Sequence, residues 1–189
     1  MPRSESRFKV TIWSDRDFTA LTIEDQRNYM MLVSQPTISL CGVVPITWGR
    51  WESSAPDCTS DALRASFDRL ESSRFIIVDY GTDELFVRSF LRHDGVWRNV
   101  KTRAGARAQV KHIVSAMVKT AVLVEMDRAE RDRKGREQLQ QAKDGSWDGS
   151  SDRASHDEEW DGAFPDGFPS QESLRLLLLL RHRLLHHLP

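Results

Sequence analysis

Residues 59–90, TSDALRASFDRLESSRFIIVDYGTDELFVRSF, decide how this chain is read. Thr59 is a hydroxyl residue suited to a helix N-cap, Asp61 stands in the first turn, and Leu63, Phe67 and Leu70 recur at i, i+4 and i+7. That pattern predicts an amphipathic helix. With those three residues inward, steps of about 100° per residue turn Asp61, Arg64, Ala65 and Asp68 outward. After Ser72-Ser73 the period shortens towards two, and the β-rich runs Arg74 to Tyr80 and Glu84 to Phe90 flank the turn-forming Gly81-Thr82-Asp83. That predicts a hairpin. Leu63, Phe67, Leu70, Ile77 and Phe86 are expected in one core, because helix and hairpin offer each other their apolar faces.

Upstream, Thr22 can cap a helix over about Ile23 to Ser34, which Pro36 ends, and Asp25 stands three residues after the cap. Ile38 to Val44 reads as a short strand closed by Pro45, since proline has no ladder donor. Trp48 to about Ser54 reads as a second short helix stopped by Pro56, with Trp48 and Trp51 sharing a face. Two short helices, a third after a four-residue turn and a hairpin make the ground plan of a winged helix-turn-helix, which often places one helix in the DNA major groove. The expected fold is therefore α+β, with a winged helix over 8–98 after a flexible arm at 1–7.

Composition sets further bounds. At 189 residues, 39% hydrophobic and 29% charged, the chain can hold one compact domain with extensions. No apolar run reaches the ~20 residues of a membrane span, and MPRSESRFKV lacks a signal-peptide core, so a cytoplasmic protein with no integral membrane span is expected. Cys41 and Cys58 have neither redox-pair nor zinc spacing; both are expected reduced, with Cys41 inside. No nucleophile has a base at workable spacing, so no enzyme, catalytic residue, metal or cofactor is expected.

The formal net charge of −1 conceals an asymmetry. Residues 1–100 carry 12 Lys+Arg against 14 Asp+Glu, 101–143 carry 11 against 5, and 144–189 carry 4 against 9. The cations follow the winged helix. From Arg88 to His112 stand Arg88, Arg92, Arg98, Lys101, Arg103, Arg107 and Lys111 against the single carboxylate Asp94, an electrostatic footprint for a polyanion or, more plainly, a solvated helix. Trp97 within it is expected to pack on the domain. Asp79, Asp83 and Glu84 place three carboxylates in the hairpin turn, where a DNA-binding wing usually offers cations. A solvated face or a protein contact would explain them equally well.

Two runs carry a resemblance. IWSDRDFTALTIEDQRNYMMLVSQPTISLCGVVPITWGRWESSAP, followed by RFIIVDYGTDELFVRSFLRHDGVWRNV, resembles the N-terminal winged-helix region of replication-initiation or replisome-organiser proteins of actinobacterial phages and prophages. It covers roughly Phe8 to Val100, and WSDRDF, SQP, GVVPIT and RSFLRHDG are its most specific pieces. The resemblance implies binding to duplex DNA or to replisome proteins such as a helicase or helicase loader, and it carries over no catalytic residue.

Ala106 to Gln141 reads as one long helix, apolar in its first half and charged in its second, within a basic arm and helix at 99–142. Residues 143–172 are acidic, rich in Gly and Ser, and expected disordered; 173–189 read as a short Leu-rich helix. The functional expectation is DNA binding, with Ser60, Arg64 and Arg69 on the recognition helix and Arg98, Lys101, Arg103, Arg107 and Lys111 on phosphates. Homo-oligomers are compatible with the long helix. The alternative is a protein-interaction module that recruits replisome partners, or a transcriptional regulator.

Overall fold

The structure, a computed structural model, describes Ser6, residues 8–93 and residues 95–145. The fold is α+β. Along the chain come α1 (Arg16–Thr19), α2 (Ile23–Val33), β1 (Val43–Pro45), α3 (Trp48–Glu52), α4 (Ser60–Ser72), β2 (Ile76–Asp79), β3 (Glu84–Val87), α5 (Phe90–His93), α6 (Val100–Gln109) and α7 (Ala116–Gly145). Single 3-10 turns occupy Val10–Ser14, Val96–Arg98 and Val110–His112. The strands form one antiparallel sheet in the order β1-β3-β2, with Val44 opposite Leu85 and Val78 opposite Leu85 from the other side. Among the described residues no helix is long and apolar enough to cross a membrane.

Local chemistry starts the helices where the sequence predicts. The Thr59 hydroxyl accepts from the Ala62 N–H at 3.2 Å, and the Thr22 hydroxyl accepts from the Asp25 N–H at 3.1 Å, each satisfying one orphan donor of a first turn. Leu63, Phe67 and Leu70 are buried, whereas Asp61, Arg64, Ala65 and Asp68 are exposed. Burying each large apolar side chain contributes about 1.5–3 kcal/mol, which fixes the inner face of α4. Cys41 is buried and both cysteines are free.

The sheet is covered on both faces. All of Ile76, Ile77, Val78, Leu85, Phe86 and Val87 are buried, so the apolar residues of β2 and β3 show no solvent face. Alternation puts Ile77 and Phe86 on the same face as Asp79 and Glu84. That face meets the start of α7: the Ser115 hydroxyl donates to Asp79 Oδ2 at 2.5 Å, and the N–H groups of Val114 and Ser115 donate to the Glu84 carboxylate at 3.0 and 2.7 Å. Ile77 and Phe86 do join Leu63, Phe67 and Leu70 in one buried cluster, but it extends through Met117, Val118, Ala121 and Val122 of α7. Helix α7 is the second layer.

Two further boundaries are corrected. The strand predicted over Ile38 to Val44 is confined to Val43–Pro45, because Ser39 to Gly42 form a turn closed by Gly42 N–H to Ser39 O at 2.9 Å. Gly42 has φ +82°, and a Cβ there would lie 2.9 Å from Phe90 Cβ, so the turn requires glycine. The helix predicted from Ala106 to Gln141 is instead two, α6 and α7, broken at residues 113–115 where Glu84 takes the backbone donors and the Ser115 hydroxyl caps Val118 N–H at 3.1 Å. The predicted linker at 143–172 and Leu-rich helix at 173–189 fall outside the described residues, apart from the last turn of α7, as does most of the arm at 1–7.

Candidate nucleic-acid interface

The exposed side of α4 carries one cation, and the structure holds it in an unusual way. The guanidinium carbon of Arg64 lies 4.3 Å from the ring centroid of Trp48 and 4.8 Å from that of Tyr80, over both rings. Those rings are 6.1 Å apart and inclined by only 25°. Trp48 comes from α3, Tyr80 from the hairpin turn and Arg64 from α4, so three elements converge on this cluster. Asp61 and Asp68 stand one helical turn either side of Arg64, yet it forms a salt bridge with neither. Asp68 instead accepts from the Tyr80 hydroxyl at 3.4 Å. Burial, with the Asp68 charge added, pushes the Tyr80 phenol up to about 12, so it stays a neutral donor at physiological pH.

Arg69 is not on this surface. Its guanidinium grips the buried Asp25 carboxylate through Nε at 2.9 Å and Nη2 at 2.8 Å, and reaches Glu24 at 2.9 Å. The Ser66 hydroxyl donates to the same Asp25 at 2.7 Å and accepts from Asn28 Nδ2 at 2.9 Å. This network bolts α2 to α4, and the expectation that Arg69 lies on phosphate gives way to it. Ser60 opens α4 with its N–H donated to Glu52 Oε1 at 2.9 Å, and its side chain is half-exposed.

The basic run after the hairpin divides into buried and exposed cations. Arg88 is buried at 3% exposure and Arg92 sits beside it, their Nε atoms 3.9 and 3.7 Å from the fully buried carboxylate of Glu125 on α7. Burial pushes Arg88 down to about 10, with Glu125 opposing the shift; it remains charged at neutral pH. Arg88 therefore drops out of the polyanion footprint. Arg103 donates through Nη1 to the Trp97 carbonyl at 2.9 Å. Arg107 lies 5.4 Å from the Trp97 ring and 3.5 Å from Glu130, but its side chain is 58% exposed. Trp97 is packed in the core, as expected, with Nε1–H on Glu130 at 3.1 Å.

What remains along α6 and in the turns before and after it is exposed Arg98, Lys101, Arg107 and Lys111, interleaved with exposed Ala104 and Ala108. Lys101 and Lys111 have no ion pair among the described residues. The Asn99 side chain starts this helix by accepting from Lys101 N–H at 2.8 Å, and Gln109 Oε1 anchors its end by accepting from Leu40 N–H at 2.7 Å. Two of the three hairpin-turn carboxylates, Asp79 and Glu84, are turned to the start of α7, leaving Asp83 exposed. The surface is less anionic there than the sequence implies. Trp48 and Tyr80 are the site residues that sequence reasoning missed, since nothing local places a turn tyrosine over a helix arginine.

Among the described residues no three His, Cys, Asp or Glu side chains come together as a metal site. Comparison with protein-family models, with curated proteins and with solved structures gives no match to this chain.

Proposed function

We propose that α2 to β3 form a winged helix and that the protein is a non-enzymatic DNA-binding protein, contacting the phosphate backbone through α6 and presenting Arg64 on α4. The element order helix, strand, helix, helix, strand, strand with sheet order β1-β3-β2 supports the winged-helix reading, with α4 as recognition helix and residues 80–83 as the wing. The observation that carries the DNA reading is the exposed cations of α6 and the turn after it, where Lys101 and Lys111 have no ion pair among the described residues and Arg107 is accessible. Replication initiation in a phage or prophage is the setting that the resemblance of residues 8–100 supports.

The test is a duplex titration at several salt concentrations. If Lys101 and Lys111 each neutralise a phosphate, their joint replacement by Ala flattens the slope of log K against log[salt] by about 2, from ~0.9 per phosphate. An unchanged slope removes α6 from the interface. A second reading is favoured by Asp61 and Asp68 on the outer face of α4, which repel phosphate and suit a protein partner. Under that reading the intact protein shows no affinity for DNA at low salt.

A further inference from the structure

The Trp48–Arg64–Tyr80 cluster is poorly suited to reading a duplex. An arginine that reads guanine must extend its fork of donors to the groove floor, free of competing contacts. Here the guanidinium carbon lies over two rings, 4.3 and 4.8 Å from their centroids. Asp61 and Asp68 flank it on the exposed face, where they oppose the approach of two phosphate backbones. The same arrangement suits a different ligand. A guanidinium with one face on aromatic rings and its side chain exposed leaves its other face to solvent, and unpaired bases stack on guanidinium planes as they do on aromatic rings. A base face is uncharged, so neighbouring carboxylates repel it little. The Tyr80–Asp68 hydrogen bond fixes one edge of the platform, and the Trp48 ring lies 6.0 Å from both the buried Trp51 and Phe67 rings, which fix the other.

We infer that Arg64, backed by Trp48 and Tyr80, is a stacking site for an unpaired nucleobase, so that the protein takes DNA with a single-stranded segment in preference to uninterrupted duplex. This rests on the DNA-binding reading above and deepens it by naming what α4 recognises. Helix α6 would hold phosphates while the cluster takes a base that has left its partner.

The experiment compares fluorescence anisotropy of the full chain on three labelled probes of one sequence: duplex, the same duplex with a central mismatched bubble, and the single strand. The bubble should bind about tenfold or more tighter than the duplex, the range that one base stack supplies. Arg64→Lys keeps the charge and loses the planar guanidinium; it should abolish the preference for the bubble. Tyr80→Phe keeps the ring and should retain the preference, and circular dichroism establishes that each variant is folded. Equal binding of bubble and duplex by the wild-type protein overturns the stacking site, as does an Arg64→Lys variant that keeps the preference. Either result leaves DNA binding by α6 intact. Absence of binding to all three probes overturns the DNA-binding reading itself, and the stacking site with it.

Discussion

Arg69 shows how much a single residue's role depends on what faces it. As a cation on a helix expected to meet DNA it suggested phosphate, but its partners Asp25 and Glu24 lie 44 and 45 residues away in sequence, and no local pattern joins them. Burial raises the Asp25 pKa, and the hydrogen bonds from Arg69, Ser66 and Thr22 outweigh it, so the carboxyl ends below its ordinary value. Its folded pKa is thus below the unfolded one. The stabilisation it gives is present above the unfolded value of about 3.9 and is lost as pH falls through the folded value. Arg69→Ala should cost about 2 kcal/mol by denaturant unfolding: breaking a buried pair costs about 3–5 kcal/mol, and the 41% exposure of the Arg69 side chain reduces that. The wild-type protein should also lose more stability than the variant when the pH is taken from 5 to about 2. Equal acid sensitivity would mean that the clamp contributes little. Arg64, one turn away on the same helix, was placed outward by its spacing alone, because only the sign of the apolar stripe was needed to place it.

At the scale of elements, what was legible is what local chemistry decides. Thr22 and Thr59 cap α2 and α4, Leu63, Phe67 and Leu70 face inward, and the run after Ser73 makes a hairpin. The break between α6 and α7 was not legible as a break, since Val110, Ile113, Val114, Met117 and Val118 continue an apolar pattern through it. Ser115 was the available local signal, a capping hydroxyl in the middle of that run, but the Glu84 carboxylate that completes the cap lies 31 residues earlier. Coverage of the second sheet face was hidden for the same reason. Helix α7 is held to the sheet by apolar burial and by Glu125, which is pushed up by burial and pulled back by Arg92 and Arg88. Removing Glu125 takes away the carboxylate that faces Arg88 and Arg92. Glu125→Ala should cost about 3–5 kcal/mol in chemical denaturation, and amide exchange should speed first in α7 and α5. A loss below about 1 kcal/mol would show that apolar contacts alone dock the helix.

For the molecule as a whole, two surfaces of opposite character follow from these placements. The α6 face gathers exposed cations with no carboxylate within the helix, whereas the α4 face combines aromatic rings, one arginine and the carboxylates Asp61 and Asp68. The charge counts along the sequence anticipated the first, although burial of Arg88 and engagement of Arg103 reduce the cations it can offer. They did not anticipate the second, because a stacked guanidinium leaves no trace in a count of charges. The most direct test of DNA binding through α6 and Arg64 is a titration of the isotopically labelled full chain with a short bubble-containing DNA at low salt, followed by amide and side-chain NMR shifts. Shifts should concentrate in residues 98–111 and around Arg64, Trp48 and Tyr80, while Arg69 and Arg88 stay unmoved. Shifts confined to other surfaces, or none at all, would contradict that mode of binding.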